Sequence, residues 1–196
     1  ADEIAKLTIG KTPPRKEKQW FSDVQGDGVV WVSIRDMAGL ESYIGDSSEY
    51  LTKEAIDNFN VKVVPSGSVI LSFKLTVGRV AITRCDLSTN EAIAHFSELQ
   101  EGISKEYLYS YLKVFDFESL GSTSSIATAV NSKIIKSMPI LLPDSEVVAF
   151  FDKNVASWFE RIDITQMHSD TLCGLRDTLL PKLISGELRI PDKAVD

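Results

Sequence analysis

A chain of 196 residues with 43% hydrophobic and 25% charged side chains can bury one good core plus an appendage, whereas two full domains would stretch it. Its net charge of −7 excludes a surface coated in positive potential, although nucleic acid needs only a local cluster of Lys and Arg with the acidic faces turned elsewhere. No apolar run approaches the roughly 18 residues of a spanning helix, so the chain reads as an ordinary soluble, cytoplasmic protein.

The opening ADEIAKLTIGKTPP lacks an initiator Met and the flanks of a signal peptide, and is expected to be neither a leader nor a complete native terminus. In GKTPPRKEKQW two prolines forbid helix, and Lys11, Arg15, Lys16 and Lys18 crowd around a single acid. VVWVSIRDM alternates and is rich in β-branched residues, predicting a strand over 29–34 with Arg35 and Asp36 at its end. Thr52 ahead of Lys53, Glu54 and Ala55 predicts a capped short helix to about Phe59. Residues 61–83 form the densest β region: VKVV, the turn PSGS, the strand VILSF, then KLTVGRVAIT, where Gly78 marks a turn, a bulge or a close backbone approach. CDLST reads as a hinge and NEAIAHF as a further strand with Asn90 at its start. In EYLYSYLK, Tyr107, Leu108, Tyr111 and Leu112 share one helical face, SLGSTSSIATAVN is loop-like, and 131–142 leads into a long helix. The fold class expected is α+β: a mixed, mainly β domain over 1–142, with short helices packed on its strands, followed by a helical region over 143–196.

That last region carries a heptad seam. Phe151, Val155, Trp158, Ile162, Thr165, Ser169, Leu172, Arg176, Leu179 and Leu183 recur four and three apart, with a polar middle and one charged interruption that Leu175 can replace. Asp144 or Ser145 can cap its start, Gly186 suits its stop, and Pro181 is expected to kink or divide the run. At 1.5 Å per residue a helix over 144–180 is roughly 55 Å long, longer than a small domain is wide, and its seam needs a partner.

A catalytic site is hard to assemble. His95 and His168 have no Cys, Asp or Glu at metal-ligand spacing and are read as structural, and Cys85 and Cys173 as free buried thiols in a reducing compartment. There is no GxSxG elbow, P-loop, GxGxxG turn or ExK triplet, and no AdoMet-binding or Asn-Pro-Pro-Tyr motif, so no metal, cofactor or catalytic residue is expected. The polar loops instead carry DNA-compatible chemistry. Lys11, Arg15, Lys16 and Lys18 can neutralise phosphates, Arg35 can fork onto guanine O6 and N7, and Lys74, Thr76 and Arg79 bracket a glycine that lets the backbone come close. Asn90 can read adenine, and Ser122, Thr123, Ser124 and Ser125 can donate to phosphate or to base edges.

The strings GKTPPRKEKQW, WVSIRDM, PSGSVILSFKLTVGRVAI, TNEAIAHF, YLYSYL, SKIIKSMPILLP and, most specifically, TLCGLRDTLLPKLISGEL together resemble the specificity subunits of type I restriction-modification systems along nearly the whole chain. The resemblance implies a target-recognition domain followed by a conserved helical spacer. Full subunits carry two such domains, each reading half of a split target, separated by two antiparallel helices that act as ruler and as docking surface for methyltransferase subunits. One domain and one helix imply a half-subunit that self-associates, or the C-terminal half of a longer subunit. The implied partners are double-stranded DNA, methyltransferase and restriction subunits, and a second copy packed antiparallel as a coiled coil along Phe151, Val155, Trp158, Ile162, Leu172, Leu175, Leu179 and Leu183. Two-fold symmetry would then impose an interrupted palindrome. DNA-facing positions differ among such subunits, so the contact residues rest on residue chemistry alone. The alternative from another class is a non-enzymatic dimeric scaffold that binds protein and lacks DNA specificity.

Overall fold

The computed structural model describes residues 1–24, 26, 28–39, 42–120 and 130–189. Its strands are β1 (Lys6–Ile9), β2 (Phe21–Ser22), β3 (Val29–Val32), β4 (Tyr43–Ile44), β5 (Tyr50–Leu51), β6 (Val69–Ser72), β7 (Val80–Thr83), β8 (Leu87–Thr89) and β9 (Ile93–Ser97). Its helices are α1 (Lys53–Phe59), α2 (Lys105–Val114), α3 (Ser132–Ser137) and α4 (Ser145–Ile184). One sheet runs β1-β9-β6-β7-β4 and is antiparallel except where β4 joins β7. The other runs β2-β5-β3-β8, with β3 and β8 parallel. The expected α+β class is the one observed. The chain divides into two compact units, Ala1–Ala156 with both sheets and Ser157–Asp196 with most of α4.

β3 alternates as a strand buried on both faces must. Val30 and Val32 enter one core cluster with Met37, Ile44, Tyr50, Ile70, Ala81, Leu87 and Ile93, while Trp31 enters a second with Leu51, Ala55 and Val61. It stops at Val32, short of the expected 34, because Ser33 N–H turns to the Asp36 carboxylate at 2.8 Å and leaves the ladder. The expected Thr52 cap is in place, and the structure adds one at Asn131 that the sequence reading did not single out. The Thr52 hydroxyl accepts from Ala55 N–H at 3.2 Å, and the Asn131 side chain accepts from Lys133 and Ile134 N–H at 2.9 and 3.1 Å.

Four expectations change, the burial of the two thiols among them. The hinge CDLST contains β8, whose polar residues are buried because each finds a partner: Ser88 hydroxyl donates to Val30 C=O at 3.2 Å, and Thr89 hydroxyl donates to Asn90 C=O at 3.1 Å. VKVV makes only the single bridge Val64–Leu87, since Val61 packs into the second core cluster and Lys62 and Val63 face solvent. Pro181 does not divide the long helix. It withdraws one helical N–H, and the ladder resumes with Ser185 N–H donating to Pro181 C=O at 2.9 Å. Of the two thiols, Cys85 is half-buried and donates to Gly45 C=O, whereas Cys173 is exposed on α4.

His95 on β9 is fully buried, which supports the structural reading. Its Nδ1 lies 2.9 Å from the hydroxyl of Thr8, its cross-strand partner on β1, and its Nε2 lies 2.6 Å from the hydroxyl of Thr89 in the other sheet. Since Thr89 donates to Asn90 C=O, it accepts from Nε2–H, and Thr8 donates to Nδ1; the arrangement fits one neutral tautomer. Burial accordingly pushes the imidazole pKa down from 6.5 to about 4. Between those values the unfolded ring binds a proton that the folded ring does not, so stability is full above pH 6.5 and falls as the pH drops toward 4, by on the order of 3 kcal/mol. Urea midpoints from pH 7.5 to 4.5 should show this slope in the wild type, and His95→Gln should lose that part of it.

Candidate nucleic-acid interface

Strand register gathers the candidate residues. Ile9 faces Ala94, Ser72 faces Ile93 and Leu71 faces Val80 in the first sheet, and Val32 faces Thr89 in the second. The C-terminal ends of β1, β3, β6 and β8 and the starts of β7 and β9 therefore lie at one end of the β layers. Backbone bonds close that end: Lys11 N–H to Thr89 C=O at 2.9 Å, Asn90 N–H to Val32 C=O at 3.0 Å, and Gly10 N–H to Ile93 C=O at 3.1 Å. A Cβ at Gly10 would collide with Asn90 C=O and the Thr89 hydroxyl, so only glycine lets these segments approach. Lys11, Arg35, Lys74, Thr76, Arg79 and Asn90, spread over 80 positions of sequence, thus emerge from one edge.

Within it some polar groups are committed and others free to act. Arg79 Nη1 donates to Ile34 C=O at 2.6 Å and ties the 73–79 hairpin to the loop that carries Arg35. That loop is fixed by Asp36, whose carboxylate accepts from Ser33 N–H and hydroxyl at 2.8 and 2.6 Å and from the Ser48 hydroxyl at 3.0 Å. Burial raises the Asp36 pKa, but the bonds from Ser33 and Ser48 outweigh it and hold the carboxyl below its usual range. The Asn90 side-chain oxygen accepts from Ala92 N–H at 3.1 Å. Lys11, Lys16, Lys18, Arg35, Lys74 and Thr76 are exposed.

Arg15 is the most committed cation. Its guanidinium lies 4.4 and 4.3 Å from the ring centroids of Phe21 and Trp31 and forks onto the Glu49 carboxylate at 2.5 and 2.9 Å. With Lys18, Phe21, Asp23 and Glu49 it lines a polar cavity of about 320 Å³. Sequence reasoning missed Glu91, which accepts from the Thr12 hydroxyl within electrostatic reach of Lys74 and Arg15. Burial raises its pKa, and the Thr12 bond, its own backbone and these two cations together lower it further, so it stays ionised among the cations. It also missed Leu75, at the tip of the 73–79 hairpin. The spacing Ser33-x-x-Asp36 was a readable signal for the loop, whereas Glu91 and Leu75 carry none.

Ser122, Thr123, Ser124 and Ser125 lie outside the described residues. On α4, Phe151, Val155 and Ile162 are half-buried, and Trp158, Leu172, Leu175, Leu179 and Leu183 are exposed. Among the described residues no group of His, Cys, Asp and Glu could hold a metal ion.

The model of the type I restriction modification DNA specificity domain matches residues 1–171. Among curated relatives, the specificity subunit of the type I restriction enzyme HindI from Haemophilus influenzae is 28% identical over 190 residues, which cover 95% of this chain and 40% of that subunit. The MjaIX specificity subunit from Methanocaldococcus jannaschii is 28% identical over 112 residues, 57% of this chain and 25% of that one. Two solved structures share the fold: the HsdS subunit from Thermoanaerobacter tengcongensis (TM-score 0.59, 17% identity, 95% of this chain and 44% of that one) and a type I S subunit from M. genitalium (TM-score 0.55, 16% identity, 98% and 45%). The chain spans less than half the length of each of these proteins.

The double stack and fork make Arg15 a stabilising residue whatever else it touches. Arg15→Ala should cost about 1–2 kcal/mol in urea unfolding, and Arg15→Lys should recover little of it, because an ammonium cannot fork or stack flat. Combining Arg15→Ala with Glu49→Gln should cost less than the sum of the two changes. Full stability in Arg15→Lys would show that the fork and the stacks contribute nothing.

Proposed function

We infer the function from one premise: the chain belongs to the type I restriction modification DNA specificity domain family. It acts as a sequence-reading subunit of a type I restriction-modification complex, binding double-stranded DNA in the cytoplasm and directing methyltransferase and restriction subunits to a bipartite target. The family match over residues 1–171 carries this reading, and the gathering of cations at one strand-end edge supports it in an otherwise acidic chain. The chemistry on DNA belongs to the partner subunits. Residues 1–142 serve as recognition domain and 143–196 as spacer, with a second copy antiparallel along Phe151, Val155, Trp158, Ile162, Leu172, Leu175, Leu179 and Leu183.

The geometry favours a division of labour at the edge. Arg35, exposed on a loop held by Asp36, suits the bidentate fork onto guanine O6 and N7. Lys11, Lys16, Lys18 and Lys74 suit phosphates, and Thr76 suits either target. Arg15 and Arg79 act on DNA through N–H donors not already engaged, and chiefly hold their loops. With its oxygen on Ala92 N–H, Asn90 presents its NH₂ group, which fits an acceptor better than the donor-acceptor pair of adenine. Ser122, Thr123, Ser124 and Ser125 remain candidates for phosphate or base-edge contacts.

Co-expression with a cognate methyltransferase subunit, followed by mapping of methylated adenines, tests the assignment. An interrupted palindrome supports the symmetric homodimer, an asymmetric bipartite site calls for a second, different domain, and methylation without sequence restriction defeats the reading. Arg35→Ala should cost roughly 1–3 kcal/mol of binding and relax one base position; a uniform loss over all sequences would mark it as a phosphate clamp. Leu175→Glu should convert dimer to monomer in sedimentation without lowering the melting temperature of the recognition domain, and a dimer that survives would remove the seam from the interface.

A further inference from the structure

Leu75 sits at the tip of the 73–79 hairpin and is 97% exposed. Its φ is +62°, a region that L side chains other than Asn and Asp rarely occupy. Thr76 N–H donates to Lys74 C=O at 2.7 Å across it, which makes Leu75 the centre of a γ-turn of the rare, strained hand. The strain is held from below. Ser72 hydroxyl donates to Thr76 C=O at 2.5 Å and accepts from Arg79 N–H at 3.0 Å, and Gly78 N–H donates to Ser72 C=O at 3.0 Å. Gly78, at φ +92°, has the Phe117 ring against its open side, and Arg79 Nη1 anchors the far strand to Ile34 C=O. The hairpin therefore fixes an aliphatic side chain in water, in a conformation that Gly or Asn would adopt at lower cost. Among the described residues no side chain covers Leu75.

The neighbours indicate what does. Lys74 and Thr76 flank the tip and are exposed, and the same edge carries Lys11 and Arg35. On such an edge an apolar tip needs an apolar feature on a polyanion, and in the major groove that feature at the base edges is the thymine methyl group. We propose that Leu75 is a specificity-determining residue that packs on the C5-methyl of a thymine in the major groove, with Lys74 beside it on the backbone. This deepens the DNA-recognition reading and rests on it.

The test uses the chain in complex with its methyltransferase subunit and the duplex identified by methylation mapping, with each thymine replaced in turn by deoxyuridine, which removes only the methyl group. At one thymine of each half-site the wild-type affinity should fall about fourfold, as expected for withdrawing one methyl-sized apolar contact. Leu75→Ala should bind the thymine and deoxyuridine duplexes equally, close to the wild-type affinity for the latter. Leu75→Asn, suited to positive φ, should match or exceed the wild-type melting temperature and still lose the discrimination, which separates a reading role from a structural one. Equal binding to all substituted duplexes, or methyl discrimination retained in Leu75→Ala, overturns the proposal. So does a rise in 2-aminopurine fluorescence on binding together with an unselective loss in Leu75→Ala, since that marks a wedge between base pairs. A wild-type complex with no preferred sequence at all would take down the recognition reading and this one together, and is told apart by that first measurement.

Discussion

One buried imidazole between two threonine hydroxyls joins the two sheets, and the placement of the strand-end edge that carries the candidate residues follows from it. His95 reaches Thr8 in its own sheet and Thr89 in the other, so the ends of β1 and β8 are held side by side. Gly10, Lys11 and Asn90 follow directly from those ends, and the backbone bonds between them need the approach that the imidazole enforces. A neutral ring satisfies both hydroxyls without the cost of burying a charge. An apolar residue of similar size would fill the space and leave two buried hydroxyls without their ring partner.

Above this joint the edge is built from polar groups that satisfy one another first. Asp36 closes the loop after β3, Arg79 ties the β6–β7 hairpin to it, and Glu49 holds Arg15 over Phe21 and Trp31. Arg79–Ile34 and Arg15–Glu49 join segments 45 and 34 positions apart, and Asp36 also takes the Ser48 hydroxyl 12 positions on, so the loops form one framework and not separate tethers. Rigid loops lower the ordering cost of binding, which is where most contacts lose their value. On the proposed reading the exposed cations Arg35, Lys74, Lys11, Lys16 and Lys18 are the groups left over for a polyanion, with the Glu91 carboxylate near Lys74 opposing a phosphate there.

Much of this was legible from residues alone, and the misses have physical reasons. β3 announced itself by β-branched alternation and α1 by its Thr52 cap, because those signals are local, whereas the Asn131 cap of α3, an equally local signal, was not read. β8 was invisible: Ser88 and Thr89 read as hinge residues until their hydroxyls are seen to be satisfied by Val30, Asn90 and His95, contacts that no local pattern encodes. Pro181 misled because a single lost N–H near a helix end is a smaller perturbation than the rule for helix interiors implies. At the edge, residue chemistry listed the cations but could not separate Arg35, which is exposed, from Arg15 and Arg79, which are bonded to Glu49 and to Ile34 C=O. Leu75 was missed for the opposite reason. An isolated Leu in a polar loop reads as ordinary, and only its backbone angle and exposure set it apart.

On the proposed reading, the two parts of the chain solve one energetic problem. A single edge with one guanine fork, one methyl contact and a few lysines offers base readings worth roughly 1–3 kcal/mol each at most, too little to single out a site among millions of competitors. Strengthening the phosphate contacts would raise affinity for every sequence alike and leave that ratio unchanged. Linking two edges through paired α4 helices makes the second half-site an intramolecular encounter, so two modest preferences multiply provided the spacing between half-sites matches the span of the linked pair. The length and regularity of a 40-residue helix matter here more than its intrinsic stability, since a flexible tether would permit many spacings and discard that part of the discrimination.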